Sequence, residues 1–284
     1  MSGATLTRRA ALALAGCALA VSAQAAETAD VLSLGGAVTE IVYALGEQDR
    51  LVARDTTSSF PPEALALPDV GYLRALSPEG VLSVAPALIL SEADAGPPEA
   101  IEVLRAADVA FVTVPEGFDA AAIAEKIRVV GAALDVPERA EALAARVAAD
   151  IAATEARAQA VDTPKRVLFV LSAQGGKLMA GGQDTGADAV IRMAGGVNAL
   201  SGIEGYKPLT DEAAAAAAPD VVLMMDRGGD HAATAQELFA LPALAVTPAA
   251  RDHALVRIDG LKLLGFGPRT AEAVSDLHRA LYGD

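Results

Sequence analysis

The chain has 284 residues, a net charge of −15 and a single cysteine. That charge opposes binding to nucleic acid and to anionic lipid surfaces, and one cysteine cannot build a disulfide framework. With 53% apolar residues and no tryptophan, the cores must be built largely from Ala, Val and Leu.

Residues 1–25 read as an export signal. Arg8 and Arg9 form its basic start, with a weak resemblance to a twin-arginine signal. Residues 10–21 are an apolar run too short to span a bilayer, and Ala23-Gln24-Ala25 is a small-x-small cleavage site. Leu14-Ala15-Gly16-Cys17 offers a second processing site that would leave a lipidated Cys17, but the residues beyond it stay apolar. Cleavage after Ala25 is the reading adopted. No later segment has the length of a transmembrane helix, so the mature chain is not expected to span a membrane.

Residues 31–34 predict a buried strand and Gly35-Gly36 a turn. Residues 37–45 predict a helix with Ala37, Ile41, Val42 and Leu45 at helical spacing, stopped by Gly46. A strand at 51–53, a polar loop over 54–62 and a short strand ending on Val70 follow. The next stretch, 69–80, carries the chemistry. Gly71-Tyr72 sits at a strand end and Arg74 follows two residues on. Ser77 and Pro78 are an N-cap and a first helical residue. In open α/β folds ligands bind beyond the strand ends. A tyrosine phenolate is one of the few side-chain groups that hold haem iron axially, and a nearby guanidinium favours the charged form. The same Gly-Tyr pair also fits a plain packing residue. Strands at 87–90 and 109–114, with helices at 98–107 and 119–134, continue an alternation that predicts parallel βαβ units.

From Pro137 to about residue 160 there is no glycine and no further proline, and Leu143, Val147 and Ile151 share one helical face. Such a helix serves either as a stiff strut between two lobes or as an ordinary surface helix. The αβ pattern then restarts. It runs through a strand at 167–172, a hairpin at Gly175-Gly176 returning over 177–180, a helix at 187–193 and a helix at 210–218. A strand at 221–225, a last strand at 255–258 and a closing helix at 268–281 complete it.

Two segments match in spacing. Ser77-Pro78-Glu79 is followed by Ala85-Pro86 and an apolar strand. Thr210-Asp211-Glu212 is followed by Ala218-Pro219 and another. Gly71-Tyr72 and Gly205-Tyr206 lie upstream in register to within one residue. This reads as two similar lobes with a cleft between them, and such clefts are favoured ligand sites.

The three histidines, His231, His253 and His278, are scattered and form no metal-binding pair. His231 remains open as a second iron ligand or a solvated loop residue. The Gly-rich stretch 181–186 lacks the Gly-Lys-Ser/Thr ending of a phosphate loop. No serine elbow or Cys-His pair supports nucleophilic catalysis, so no catalytic residue is assigned. Arg227, in a Gly-rich loop after a strand, stands where a ligand-facing residue of the second lobe would stand, or is an exposed surface arginine.

Residues 71–80, together with Asp55-Thr56-Thr57, the segment 186–198 and Gly267-Pro268-Arg269-Thr270, resemble the haemin-binding component of bacterial haem ABC importers. The resemblance covers residues 30–284. It implies an α/β fold of two Rossmann-like lobes with parallel central sheets, over 26–136 and 162–284, joined by one rigid helix at 137–161. It passes the role of axial haem ligand to Tyr72 and of phenolate support to Arg74. It also implies a periplasmic protein that delivers haem to a permease dimer, docking through one acidic residue per lobe, Glu79 and Glu212. Arg227 is expected to contact the ligand. Some relatives add a histidine from the second lobe, and none falls here between residues 31 and 230. A siderophore- or cobalamin-binding protein of the same superfamily, or a haem-dependent enzyme, are the alternatives.

Overall fold

The computed structural model describes residues 30–226 and 234–283. The first half alternates β1 (Val31–Leu34), α1 (Gly36–Ala44), β2 (Leu51–Arg54), α2 (Pro78–Leu82), β3 (Leu88–Glu92), α3 (Pro98–Ala106), β4 (Ala110–Val114) and α4 (Ala120–Ala133). Its four strands lie in the order β2-β1-β3-β4, all parallel. β1 is buried at every position, as expected of a strand covered on both faces. The strand expected to end on Val70 is absent. Only an isolated bridge joins Asp69 to Arg54, because Pro68 brings no N–H and Gly71 turns the chain away at φ 106°.

α1 starts without a side-chain cap of its own. Its free N–H groups are taken by another loop. Asp55, fully buried, accepts from Gly35 N at 2.9 Å, and the Thr57 hydroxyl accepts from Gly36 N at 3.1 Å. Asp55 is held in turn by the Thr57 and Ser58 hydroxyls. The Asp55-Thr56-Thr57 motif is thus a remote helix cap.

α5 (Pro137–Ala158) spans 22 residues, about 33 Å at the rise of an α-helix. Its buried face, including Ala140, Leu143, Val147 and Ile151, belongs to a hydrophobic core that also contains Leu90 and Ile127 of the first half and Val167, Phe169 and Val190 of the second. The helix is therefore packed into both halves rather than laid across a surface. Its contact with α4 is close: a Cβ on Gly131 would lie 2.1 Å from that of Ala140.

The second half comprises β5 (Arg166–Gln174), β6 (Lys177–Gly181), α6 (Gly186–Met193), β7 (Val197–Asn198), β8 (Tyr206–Leu209), α7 (Asp211–Ala217) and β9 (Val221–Asp226). Three short helices follow, α8 (Ala235–Phe239), α9 (Pro242–Ala245) and α10 (Pro248–Arg251), and then β10 (Leu255–Asp259), α11 (Gly260–Leu264) and α12 (Thr270–Tyr282). The strand order is β10-β9-β5-β6-β8, with β7 beside β5. Strands β10, β9, β5 and β7 are parallel. β6 is antiparallel to both β5 and β8; for β5 the reason is local, because the two-residue Gly175-Gly176 link can join only antiparallel neighbours. The second sheet is therefore mixed, where the resemblance implied a parallel one.

The two lobes also touch directly. Lys126 Nζ of α4 donates to the Gly265 carbonyl at 3.3 Å, and Phe118 and Phe266 pack with ring centroids 4.9 Å apart. Buried Glu40 of α1 pairs with Arg269 at the start of α12, and the Arg269 guanidinium stacks 3.6 Å over the Phe60 ring.

Candidate functional site

The Tyr72 loop is held from below. Leu73 and Leu76 are buried, Gly96 N donates to the Leu73 carbonyl at 2.9 Å and Leu76 N to the Gly96 carbonyl at 2.8 Å. Upstream, Asp69 accepts from Gly71 N at 2.8 Å and pairs with Arg54 at 2.7 Å. With its neighbours fixed, the Tyr72 side chain is left 45% exposed. Arg74 Nη1 donates to the Tyr72 hydroxyl at 3.1 Å, and the other terminal nitrogen of Arg74 pairs with Asp94 beyond the end of β3. The sequence-predicted pair is thus assembled, and Asp94 orients it.

Arg74 also lines a cavity of about 70 Å³ at the junction of the lobes, with Glu92, Asp94, Glu116, Phe118 and Lys126 on one side and Phe266 on the other. Organic ligands the size of a drug fill pockets of about 300–1,000 Å³, so this cavity by itself is too small to hold one. An acid and a base meet there, Lys126 buried and Glu92 half-buried. Burial pushes the Glu92 carboxyl up to about 7 against the pull of Lys126, and burial likewise lowers Lys126. Glu92 further faces the Ala37 N–H at the start of α1, which the macrodipole favours.

From the second lobe comes Tyr206, 40% exposed at the start of β8. It feels the charges of Arg74 and Glu116 across the junction. Sequence reasoning placed it in register with Tyr72 but not in the site. Its duplicated Gly-Tyr was the available signal. Glu92, Asp94, Glu116 and Lys126 had no signal, because each is one charge in a strand end, loop or helix until the fold brings them together.

The duplicated motif has matching local geometry. Ser77 accepts from Gly80 N at 3.4 Å and Thr210 from Ala213 N at 3.2 Å, so both are N-caps. Ala85 and Ala218 both adopt the left-handed region, at φ 48° and 41°, each immediately before a proline. Gly71 and Gly205 both have positive φ. Glu79 and Glu212 both stand exposed in first helical turns. Arg227 and His231 lie outside the described residues. His278 is buried with Nδ1 3.0 Å from the Ala194 carbonyl, and His253 packs beside Phe239. Among the described residues, no group of three acidic, His or Cys side chains is placed to hold a metal ion, and no helix is long and apolar enough to cross a membrane.

Two α/β lobes bridged by one long helix, with an exposed phenol at their junction, define a two-lobed ligand-binding protein. The profile of the periplasmic binding protein family matches residues 31–260, and the chain belongs to that family. Among solved structures it is similar to the periplasmic heme-binding protein BhuT in complex with two hemes. The match has 46% identity and a TM-score of 0.85 and covers 89% of this chain and 97% of that one. It is also similar to the periplasmic heme-binding protein RhuT from Roseiflexus sp. RS-1 in apo form, at 40% identity and a TM-score of 0.86, covering 90% and 98%. A curated relative, the uncharacterized ABC transporter substrate-binding lipoprotein YvrC of Bacillus subtilis, is 24% identical over 261 residues, 91% of this chain and 81% of that protein.

Proposed function

We propose that the protein captures haem in the cleft between its lobes and hands it to an ABC-type importer in the cytoplasmic membrane. The observation that carries the reading is the Arg74 guanidinium donating at 3.1 Å to the exposed Tyr72 hydroxyl. A hard ferric ion prefers an anionic oxygen, and the guanidinium stabilises the charge that the phenol acquires on binding it. The names of the 46% and 40% identical structures support haem as the cargo.

In this reading residues 26–136 and 162–284 are the lobes and 137–161 the link. Arg227 contacts the ligand, and Glu79 and Glu212 dock on a permease dimer. The protein is exported to the periplasm with cleavage after Ala25, and a lipidated Cys17 is the other form. It binds and delivers its ligand without converting it.

Tyr72→Ala and Arg74→Ala, titrated with haemin, test the assignment. Tyr72→Ala abolishes the high-spin charge-transfer band of a phenolate-ligated haem. Arg74→Ala raises the pH at which that band forms. An unchanged haemin spectrum and affinity in Tyr72→Ala would remove Tyr72 from the site.

A further inference from the structure

Tyr206 is the second lobe's exposed tyrosine near the junction, and its surroundings differ from those of Tyr72. Its strand partner is Gly181, where a Cβ would stand 3.2 Å from Tyr206 Cε1. A glycine there leaves room for the ring. Beneath it, Phe169 meets the ring edge-on with centroids 6.3 Å apart, and Phe169 is fully buried. A Cβ at the same Gly181 position would lie 3.3 Å from that of Ala187, so the ring sits beside the first turn of α6, and the Ala187 N–H and the Thr185 side chain there favour the charged form of its hydroxyl. Tyr72 thus carries a guanidinium on its phenol, whereas Tyr206 has its ring packed on Phe169 and beside α6 and still leaves 40% of the residue exposed. We propose that Tyr206 is the second lobe's contact with a flat aromatic ligand, a fixed ring that bears on the porphyrin without binding its iron.

The inference rests on the haem reading above and adds the residue that recognises the macrocycle as a surface. Division of labour follows from the chemistry. Tyr72 recognises the metal through oxygen, and Tyr206 recognises the ring system through stacking and apolar contact, which need no iron. Burial raises the Tyr206 phenol from its ordinary range against the Ala187 N–H, the Thr185 side chain and, more weakly, the charge of Arg74.

The test uses the mature chain, titrated with haemin and with iron-free protoporphyrin IX, in wild type, Tyr206→Phe, Tyr206→Ala and Tyr72→Ala. Tyr206→Ala weakens both ligands about tenfold, the scale of one lost aromatic contact, and leaves the haemin charge-transfer band in place. Tyr206→Phe keeps the ring and stays near wild type for both. Tyr72→Ala loses the haemin band and retains protoporphyrin binding. A shifted band, or loss of a bound haem equivalent, in Tyr206→Phe would make Tyr206 an iron ligand and overturn the proposal. So would unchanged affinities in a folded Tyr206→Ala. Wild type that binds neither porphyrin overturns the haem reading itself, a result distinct from either failure at Tyr206.

Discussion

Glu92 shows at the scale of one residue how the junction cavity is built. It ends β3, faces the start of α1 and lines the same small cavity as Lys126, half-buried. Its carboxyl is driven up to about 7 in the folded protein, from 4.5 when free. A group with a raised folded pKa binds its proton more tightly in the native state. Its contribution to stability is fully present below about pH 4.5 and is lost as pH rises through about 7. Glu92→Gln, which carries no charge at any pH, removes this dependence. Relative to that variant, wild type should lose roughly 1–3 kcal/mol of stability between pH 5 and pH 8. Urea unfolding of both proteins at the two pH values measures the difference. Parallel curves would show that Lys126 holds Glu92 ionised throughout.

At the scale of elements, the repeated cap, short helix and strand is the informative unit. α2 and α7 are too short to be stable alone. Each depends on a Ser or Thr cap, on one buried valine or alanine face and on a sharp exit. That exit is an alanine in the left-handed region, which costs a non-glycine residue roughly 1–2 kcal/mol. Glycine avoids the clash and gives up about 0.5–1 kcal/mol of chain entropy. Ala85→Gly and Ala218→Gly should each therefore raise stability by about 0.5–1 kcal/mol, read as a higher urea midpoint at constant slope. A loss of stability in both would mean that the alanine methyls make contacts worth more than the backbone strain.

On the scale of the whole molecule, the lobes are joined by more than α5. Glu40 and Arg269 pair across the junction beneath Phe60, and Lys126 reaches the Gly265 carbonyl. One hydrophobic core runs through both halves. Such packing resists a hinge. Small-angle scattering profiles with and without haemin should nearly coincide for wild type. Arg269→Ala strands a buried carboxylate, costs about 3 kcal/mol and should broaden the profile of the free protein. A large compaction of wild type on binding haemin would point instead to a hinged protein.

The same rigidity bears on delivery. Glu79 and Glu212 are exposed at equivalent points of the two lobes, and a stiff molecule presents both at a constant separation. Glu79→Ala and Glu212→Ala should each preserve haemin affinity while lowering transporter ATPase stimulation, and the double variant should lower it further. Normal delivery by the double variant would leave these glutamates as helix-start residues only.

Local pattern was enough for much of this. Helical spacing over 137–160, Ser77 and Thr210 before their helices, and the βαβ alternation each depend on neighbours within a few residues, and these the chain itself determined. The same holds for the pairing of Tyr72 with Arg74, two residues apart. What the sequence could not decide involves residues far apart in the chain. The strand expected at Val70 shrinks to one bridge between Asp69 and Arg54, 15 positions apart, because Pro68 and Gly71 flank the pairing residue on either side. β8 was hidden because four residues with a central proline pair only once β6 has folded back beside them. The charged cavity joins Arg74, Glu92, Glu116 and Lys126 from four separate segments, and Tyr206 reaches the field of Arg74 across 132 positions of chain. Burial and long-range electrostatics have no local signature, because they depend on which surfaces the packed lobes bring together, and only the tertiary structure settles that.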